Sequence, residues 1–324
     1  MTCPDIEAAF AGQRILVTGA AGFIGATLCQ RLCDVHATVH GVSRRPRDWP
    51  KVRWWVTDLA EQGMADQVIQ ESKPDLIFHL ASRVTGTRDM NAVMPTLRDN
   101  LITTVNVLTA ACNAGGPRVV LAATSHEPSP NDTDKVACSP YAAAKTAAAE
   151  YARMFHALYG LSVVNVRVLM AYGPGQWDDT KLVPYVANCI LRGERPRLSS
   201  GNQEIDWIYV DDVVEAFLRA AHSADAEGQT IDVGSGKLVT ARSLVTDLVR
   251  LMGSQVQPIF GALSDRPMEP VRVADVARTR SLIGWEPSTP MSIGLAKTAQ
   301  WYRDRASDGE HKQGCQLPAL INEN

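Results

Sequence analysis

Along the first half of the chain, short runs of β-branched and aliphatic residues alternate with longer stretches whose apolar positions recur every three to four residues. Arg14 to Thr18, Thr38 to Ser43, Leu76 to Leu80, Val119 to Ala123 and Ser162 to Leu169 are predicted strands. Gly22 to Leu32, Gly63 to Glu71, Pro95 to Asn113 and Pro140 to Tyr159 are predicted helices. Strand and helix in strict alternation predict an α/β fold, a doubly wound parallel sheet whose ligands sit at the carboxyl ends of the strands. After Leu169 the pattern breaks into Pro- and Gly-punctuated segments (Tyr172 to Gly175, Gly193 to Gly201, Gly234 to Gly236), the composition of a smaller, irregular C-terminal domain. The expected division gives 12–169 with 207–233 to the sheet, 170–206 with 234–304 to the second domain, and 305–324 to a polar, flexible tail.

Composition narrows the class of partner. Hydrophobic residues make up 45% of the 324 positions against 21% charged, enough apolar material for a buried core. The net charge of −3 supplies no general attraction to nucleic acid or anionic lipid, so the expected partner is a small molecule. No segment approaches the roughly 18 to 20 apolar residues that a bilayer demands, and Asp5 and Glu7 stand where a signal peptide would carry basic residues. A soluble, cytoplasmic protein is expected. The seven cysteines are scattered without a CxxC pair, so neither a disulfide framework nor a metal site is expected, and Cys29 and Cys33 are read as packing residues.

The first predicted strand runs into Gly19, Gly22 and Gly25 at the mouth of the first predicted helix. Glycines there permit a tight turn, let the backbone approach a pyrophosphate, and aim free helix amides at its charge. This GxxGxxG spacing, with Phe23 and Ile24 inside it, resembles the extended branch of the short-chain dehydrogenase/reductase superfamily, the sugar-nucleotide epimerases, dehydratases and reductases. Other stretches resemble that branch in order: Asp58-Leu59 its adenine-contacting pair, His79-Leu80-Ala81 its fourth-strand motif, Asn100 its helix asparagine, and Tyr141 to Lys145 its YxxxK. Tyr172 to Gly175, Asp206 to Asp212 and Ile283 to Trp285 resemble its C-terminal signatures. The resemblance covers roughly Arg14 to Tyr302 and implies a Rossmann-like nucleotide-binding domain, a substrate domain and a homodimer.

The end of the second strand bears on the cofactor. A carboxylate there suits the ribose hydroxyls of NAD(H), whereas this chain has Ser43, Arg44 and Arg45, whose hydroxyl and guanidinium forks suit a 2′-phosphate. NADP(H) is therefore the favoured expectation, with NAD(H) the alternative.

Tyr141 and Lys145 stand four apart on one predicted helix, so their side chains leave the same face about one turn apart. A free phenol has a pKa of about 10, and a neighbouring ammonium with a positive nicotinamide ring should lower it toward acid–base duty. The resemblance gives Lys145 the nicotinamide ribose as well, and places a hydroxyl at the end of the fifth motif strand. Counting from the strand start makes it Thr124, with Ser125 the substitute.

Departures refine the expected function. Dehydratases of the branch carry acidic residues directly after that hydroxyl; here Ser125 and His126 follow, with Glu127 one place late, which demotes dehydration. Ser125 and His126 are expected to face the substrate. The branch's asparagine before YGPG corresponds to Met170 or Ala171, and its arginine before D-[WF]-I-Y-V to Ile205, so neither place offers a polar group to a diphosphate. Leu182, Val183 and Arg266 are the expected remaining substrate contacts. The leading expectation is an NADP(H)-dependent reductase of a keto group on a nucleotide-activated deoxysugar. A sugar-nucleotide epimerase is the alternative, and a non-catalytic nucleotide sensor the reading from another class.

Overall fold

The computed structural model describes residues 8–127, 136–266 and 270–307. Among the described residues the strands are, in chain order, β1 Arg14–Thr18, β2 Thr38–Ser43, β3 Val52–Val56, β4 Leu76–His79, β5 Arg118–Thr124, β6 Val163–Val168, β7 Met170–Tyr172, β8 Glu204–Tyr209, β9 Thr230–Val233 and β10 Leu238–Thr240. The chain divides into two compact units.

The first unit takes in the chain to Val168, then Val213–Val233 and Asp275–Glu286. Its seven strands lie in the order β3-β2-β1-β4-β5-β6-β9, every neighbouring pair parallel. In β1, Ile15, Leu16, Val17 and Thr18 are all buried in succession, as a strand covered on both faces requires. The order reverses between β1 and β4, which makes the carboxyl ends of those two strands the crevice where a nucleotide binds in such sheets.

The helices follow from their own patterns. In α1, Phe23–Asp34, the residues Gly25, Leu28, Cys29 and Leu32 form one buried stripe. The next helix is α2, Met64–Ser72. The long helix expected from Pro95 starts earlier, as α3 Val93–Thr96, because a proline in a first turn sacrifices no intrahelical hydrogen bond. It then widens into a π segment, Leu97–Ile102, before continuing as α4, Thr103–Asn113. Sequence periodicity has no signal for that widening, which buries the consecutive polar residues Asp99 and Asn100. Helix α5, Pro140–Tyr159, has the predicted bounds for legible reasons: Ser139 Oγ accepts from Ala142 N at 3.2 Å, Pro140 opens the first turn, and Gly160 closes the helix at φ 67°.

Two described strands of the first unit escape the sequence pattern. β3 reads Val-Arg-Trp-Trp-Val, too short and mixed to stand out, yet Val52 and Trp54 crowd against Gly41 of β2. β9 follows α7, Val210–His222, and pairs with β6 at the sheet edge.

The second unit comprises Leu169–Asp212, Gly234–Ala274 and the chain from Pro287. Its sheet runs β10-β8-β7, with β8 parallel to β7 and antiparallel to β10. The helices α6 Leu182–Leu191, α8 Ala241–Leu251 and α10 Met291–Ser307 belong to it. Two aspartates of the Asp206 to Asp212 stretch act as staples here. Asp206 accepts from the backbone of Ser235, Gly236 and Ala274, and Asp212 accepts from Ser288 and Thr289. Each carboxylate thereby satisfies several loop amides that burial would otherwise strand.

The expected boundaries therefore shift. Residues 207–212 belong to the second unit, because β8 takes its ladder partners from β7 and β10. Asp275–Glu286, with α9 Val276–Ile283, belongs to the first, where Thr279 Oγ1 donates to the Asp232 carbonyl. Of the expected tail, 305–307 continue α10 and the remainder lies outside the described residues.

Candidate active site

The glycine loop is shaped by contact with its own backbone. Gly19 has φ 68°, and a Cβ there would lie 2.7 Å from the Leu80 carbonyl carbon and from Ala81 N. A Cβ on Gly25 would lie 2.2 Å from the Gly19 oxygen, and one on Gly22 3.2 Å from it. The loop after β1 thus packs on the chain leaving β4, at the reversal of strand order. Gly22 caps α1 without a side-chain hydrogen bond, and no acidic residue stands in the first turn. Such a helix start, with Phe23 and Ile24 opening it, fits a pyrophosphate: its amides are left for an anion.

Behind the loop stands a buried polar column. Ala81 N donates to Thr18 Oγ1 at 3.1 Å, Thr18 Oγ1 lies 2.7 Å from His79 Nδ1, and His79 Nε2 lies 3.1 Å from Thr104 Oγ1, which donates to the Asn100 carbonyl. Because Thr104 spends its hydroxyl proton on Asn100, His79 Nε2 is the donor and Nδ1 the acceptor, a neutral ring. Burial pushes the His79 pKa down to about 3, and the Lys145 charge acts the same way. The fourth-strand motif is therefore a strut that ties β1, β4 and α4 beneath the crevice.

Tyr141 and Lys145 sit on the buried face of α5, 8% and 3% exposed. The Tyr141 hydroxyl shares hydrogen bonds with Thr124 and Ser82. Ser82 Oγ donates to Asn100 Oδ1 at 2.7 Å, and Asn100 Oδ1 also accepts from Arg83 N at 2.8 Å. Thr124 and Ser82 thus flank the phenol, and Ser82 links it to Asn100. Thr124, rather than Ser125, is thus the strand-end hydroxyl on the phenol. Ser82 is a member that sequence reading missed, because a serine after His-Leu-Ala has no periodic or motif signal of its own.

The expected electrostatics differ in one respect. Burial pushes the Tyr141 phenol above its ordinary value, against the hydrogen bonds of Thr124 and Ser82 and with help from the Glu127 charge. Lys145 Nζ donates to the Ala122 carbonyl. Burial lowers the Lys145 pKa to about 8, against the pull of Glu127.

Glu127 itself is 5% exposed and accepts from Thr124 N at 3.2 Å. Burial raises its pKa, opposed by the Thr124 amide and by Arg167, Lys145 and Arg153. It is a buried carboxylate behind the threonine, whereas the sequence reading counted it only as an acid one place late. His126 lies on Thr124 too, its backbone N–H donating to Thr124 Oγ1 at 3.3 Å and its Nδ1 at 3.3 Å from the same oxygen. Ser125 is partly buried beside them.

At the far end of the crevice, Ser43 closes β2 and accepts from Arg45 N at 3.3 Å. Arg44 Nη1 lies 3.1 Å from Asp99 Oδ2, so its guanidinium already has an ionic partner. The expectation of NADP(H) treated Arg44 as available to a phosphate, and sequence could not place Asp99, 55 residues away, on it. Burial acts to raise the Asp58 pKa, but hydrogen bonds from Ala60 N and Arg98, with the nearby Arg44, outweigh it and hold the carboxyl below its ordinary value. The Leu59 carbonyl accepts from Asn106 at 2.9 Å.

The expected substrate contacts of the second unit are Leu182 and Val183, which open α6, and Arg266. Burial lowers the pKa of Lys181 against the pull of Asp178, and Arg266 lies close enough to lower it further. Lys181 is a further cation that the sequence reading passed over, since nothing along the chain couples it to Arg266, 85 positions on.

Comparison with known proteins agrees with this geometry. The sequence model of the NAD dependent epimerase/dehydratase family matches residues 15–234. A UDP-glucose 4-epimerase of Mycolicibacterium smegmatis is 30% identical, the match covering 91% of this chain and all of that one. The structure of MoeE5 in complex with UDP-glucose and NAD is 31% identical, with a TM-score of 0.80 over 90% of this chain and 99% of the other. A UDP-glucose 4-epimerase of Thermotoga maritima, solved with UDP-glucose, has the same fold with a TM-score of 0.82 at 24% identity, covering 90% and 99%.

Proposed function

Since the chain belongs to the NAD dependent epimerase/dehydratase family, we propose that it epimerises a nucleoside-diphosphate hexose at a carbinol carbon, with Tyr141 as acid and base. The observation that carries this reading is the Tyr141 hydroxyl flanked by Thr124 and Ser82, with Ser82 bonded to Asn100, joined to a position after Thr124 that holds Ser125 and His126 in place of carboxylates. Such a phenol serves proton exchange at one oxygen, and dehydration would need a second acid–base pair.

The glycine loop and the start of α1 would hold the dinucleotide pyrophosphate, and Lys145 and Tyr141 its nicotinamide end. When bound, the nicotinamide supplies hydride acceptance and donation at carbon. Tyr141 takes the proton of the sugar hydroxyl as it becomes a carbonyl and returns it afterwards. The Thr124 hydroxyl beside the phenol orients the same oxygen.

NAD(H) is the cofactor this reading favours. It is supported by the ionic partnership of Arg44 with Asp99 and by the NAD bound in MoeE5. The reductase reading, with NADP(H) and a keto-deoxysugar nucleotide, is favoured by the hydroxyl and guanidinium groups of Ser43, Arg44 and Arg45 at the end of β2. A homodimer is supported by exposed apolar side chains on the α3 to α5 region, among them Met94, Ile102, Tyr151 and Leu158.

The test is incubation with UDP-glucose and catalytic NAD, following the sugar by NMR. Interconversion of the C4 epimers without net cofactor consumption supports the reading. Stoichiometric consumption of NADPH by a keto-sugar nucleotide, with no epimer formed, establishes the reductase instead. Failure of UDP and of dTDP to bind would remove the nucleotide sugar from both.

A further inference from the structure

Three guanidinium groups from separate places in the first unit converge on one buried carboxylate. Arg44, just beyond β2, and Arg83, in the loop after β4, lie 3.1 and 2.8 Å from Asp99 Oδ2. Arg98 of the π segment lies 3.3 Å from Asp99 Oδ1, but it is also bound to Asp58 Oδ2 at 2.8 Å and to Glu61. Its charge is therefore largely matched elsewhere, and Asp99 is left as the counter-ion of Arg44 and Arg83. The Asp99 side chain is 9% exposed, while those of the three arginines are 39 to 58% exposed.

We propose that Asp99 is a cofactor-selecting residue: its carboxylate holds the Arg44 guanidinium on the π segment and offsets the positive charge beyond β2, so that a nucleotide with a 2′-phosphate gains little over one with free ribose hydroxyls. This rests on the reading of the β1–β4 crevice as a dinucleotide site. A phosphate entering beside Ser43 meets an arginine that already has an ionic partner, with a fixed negative charge just behind it. The dianion either shares Arg44 with that carboxylate, against like-charge repulsion, or draws Arg44 away and leaves Asp99 to Arg83. Both routes reduce the advantage that Arg44 and Arg45 alone would give. A carboxamide at position 99 keeps the shape and one hydrogen-bond acceptor but removes the charge. The arginines it leaves are open to water, so the cost to folding is small.

The experiment is equilibrium titration of the full chain with adenosine 2′,5′-bisphosphate and with 5′-AMP, in low salt, as the parent, Asp99→Asn, Asp99→Glu and Asp99→Asn/Arg44→Ala proteins. The parent should bind the two probes within about threefold of each other. Asp99→Asn should tighten the bisphosphate by about tenfold or more while moving 5′-AMP by less than about threefold, the size of one charge removed beside a dianion. Asp99→Glu, which keeps the charge, should stay near the parent, and the double variant should lose the gain. A merely structural Asp99 would weaken both probes together in both single variants, and that result overturns the proposal. A parent that already prefers the bisphosphate tenfold also overturns it and strengthens the NADP(H) reading. If neither probe binds the parent, the dinucleotide site and the role of Asp99 fall together.

Discussion

Tyr141 and Lys145 stand one turn apart on the same buried helix face, the ammonium of Lys145 donating to the Ala122 carbonyl and the phenol of Tyr141 flanked by Ser82 and Thr124. The tyrosine is thus positioned by hydroxyls and the lysine by a strand end.

Removing the phenol oxygen alone should expose this division. Tyr141→Phe is expected to lower kcat at least a hundredfold, the lower range for general acid–base catalysis, while dinucleotide affinity stays within about threefold. Thr124→Ala should cost less, and Thr124→Ser almost nothing, because the serine restores the hydroxyl beside Tyr141. Steady-state rates beside a binding titration check this, and a Tyr141→Phe protein that retains most of its turnover would move the proton elsewhere, with His126 first in line.

The lowered pKa of Lys145 sets a pH limb. Burial disfavours the ammonium, so it is retained below about pH 8 and lost above. Activity that depends on that charge should decline as pH rises through about 8. Glu127 acts in the opposite sense, raising the Lys145 value, so Glu127→Gln should move the limb to lower pH. The measurement is kcat/KM against pH for both proteins; coincident limbs would detach Glu127 from the site.

His79 makes a stability prediction of definite sign. Its folded pKa of about 3 lies below the ordinary 6.5, so between those values the unfolded chain binds the extra proton and stability falls as pH falls. Between about pH 6.5 and 4.5 this single group removes about 2 to 3 kcal/mol. His79→Gln keeps hydrogen-bonding capacity without titrating there. Urea unfolding at the two pH values should show that variant losing less stability than the parent by about that amount.

Gly25→Ala tests the backbone contact under the loop. The new methyl would sit 2.2 Å from the Gly19 oxygen, and backbone on both sides leaves no flexible group to move aside. A destabilisation of about 1 to 3 kcal/mol is expected, with dinucleotide affinity reduced as the turn opens. Gly63→Ala is the control, since it has a positive φ but nothing within 4 Å of its Cβ. It should lower stability alone.

The doubly wound sheet, the bounds of β1, β2 and α5, the glycine loop and the pairing of Tyr141 with Lys145 on one face were all legible along the chain. Each rests on short-range physics: the period of buried positions, a Ser-Pro helix start, a glycine where the turn demands it. Contacts between distant segments settle the remainder. Ser82 meets Tyr141, Asp99 takes Arg44, and Arg266 approaches Lys181 across gaps of 59, 55 and 85 residues, distances over which no periodicity carries information. The strands β3 and β9 were likewise hidden, because a short edge strand is fixed by the ladder of its neighbour more than by its own composition. The charge on Arg44 illustrates the limit: its identity and its place after β2 were legible, but the buried carboxylate that restrains it came from a widened helix turn that only packing produces.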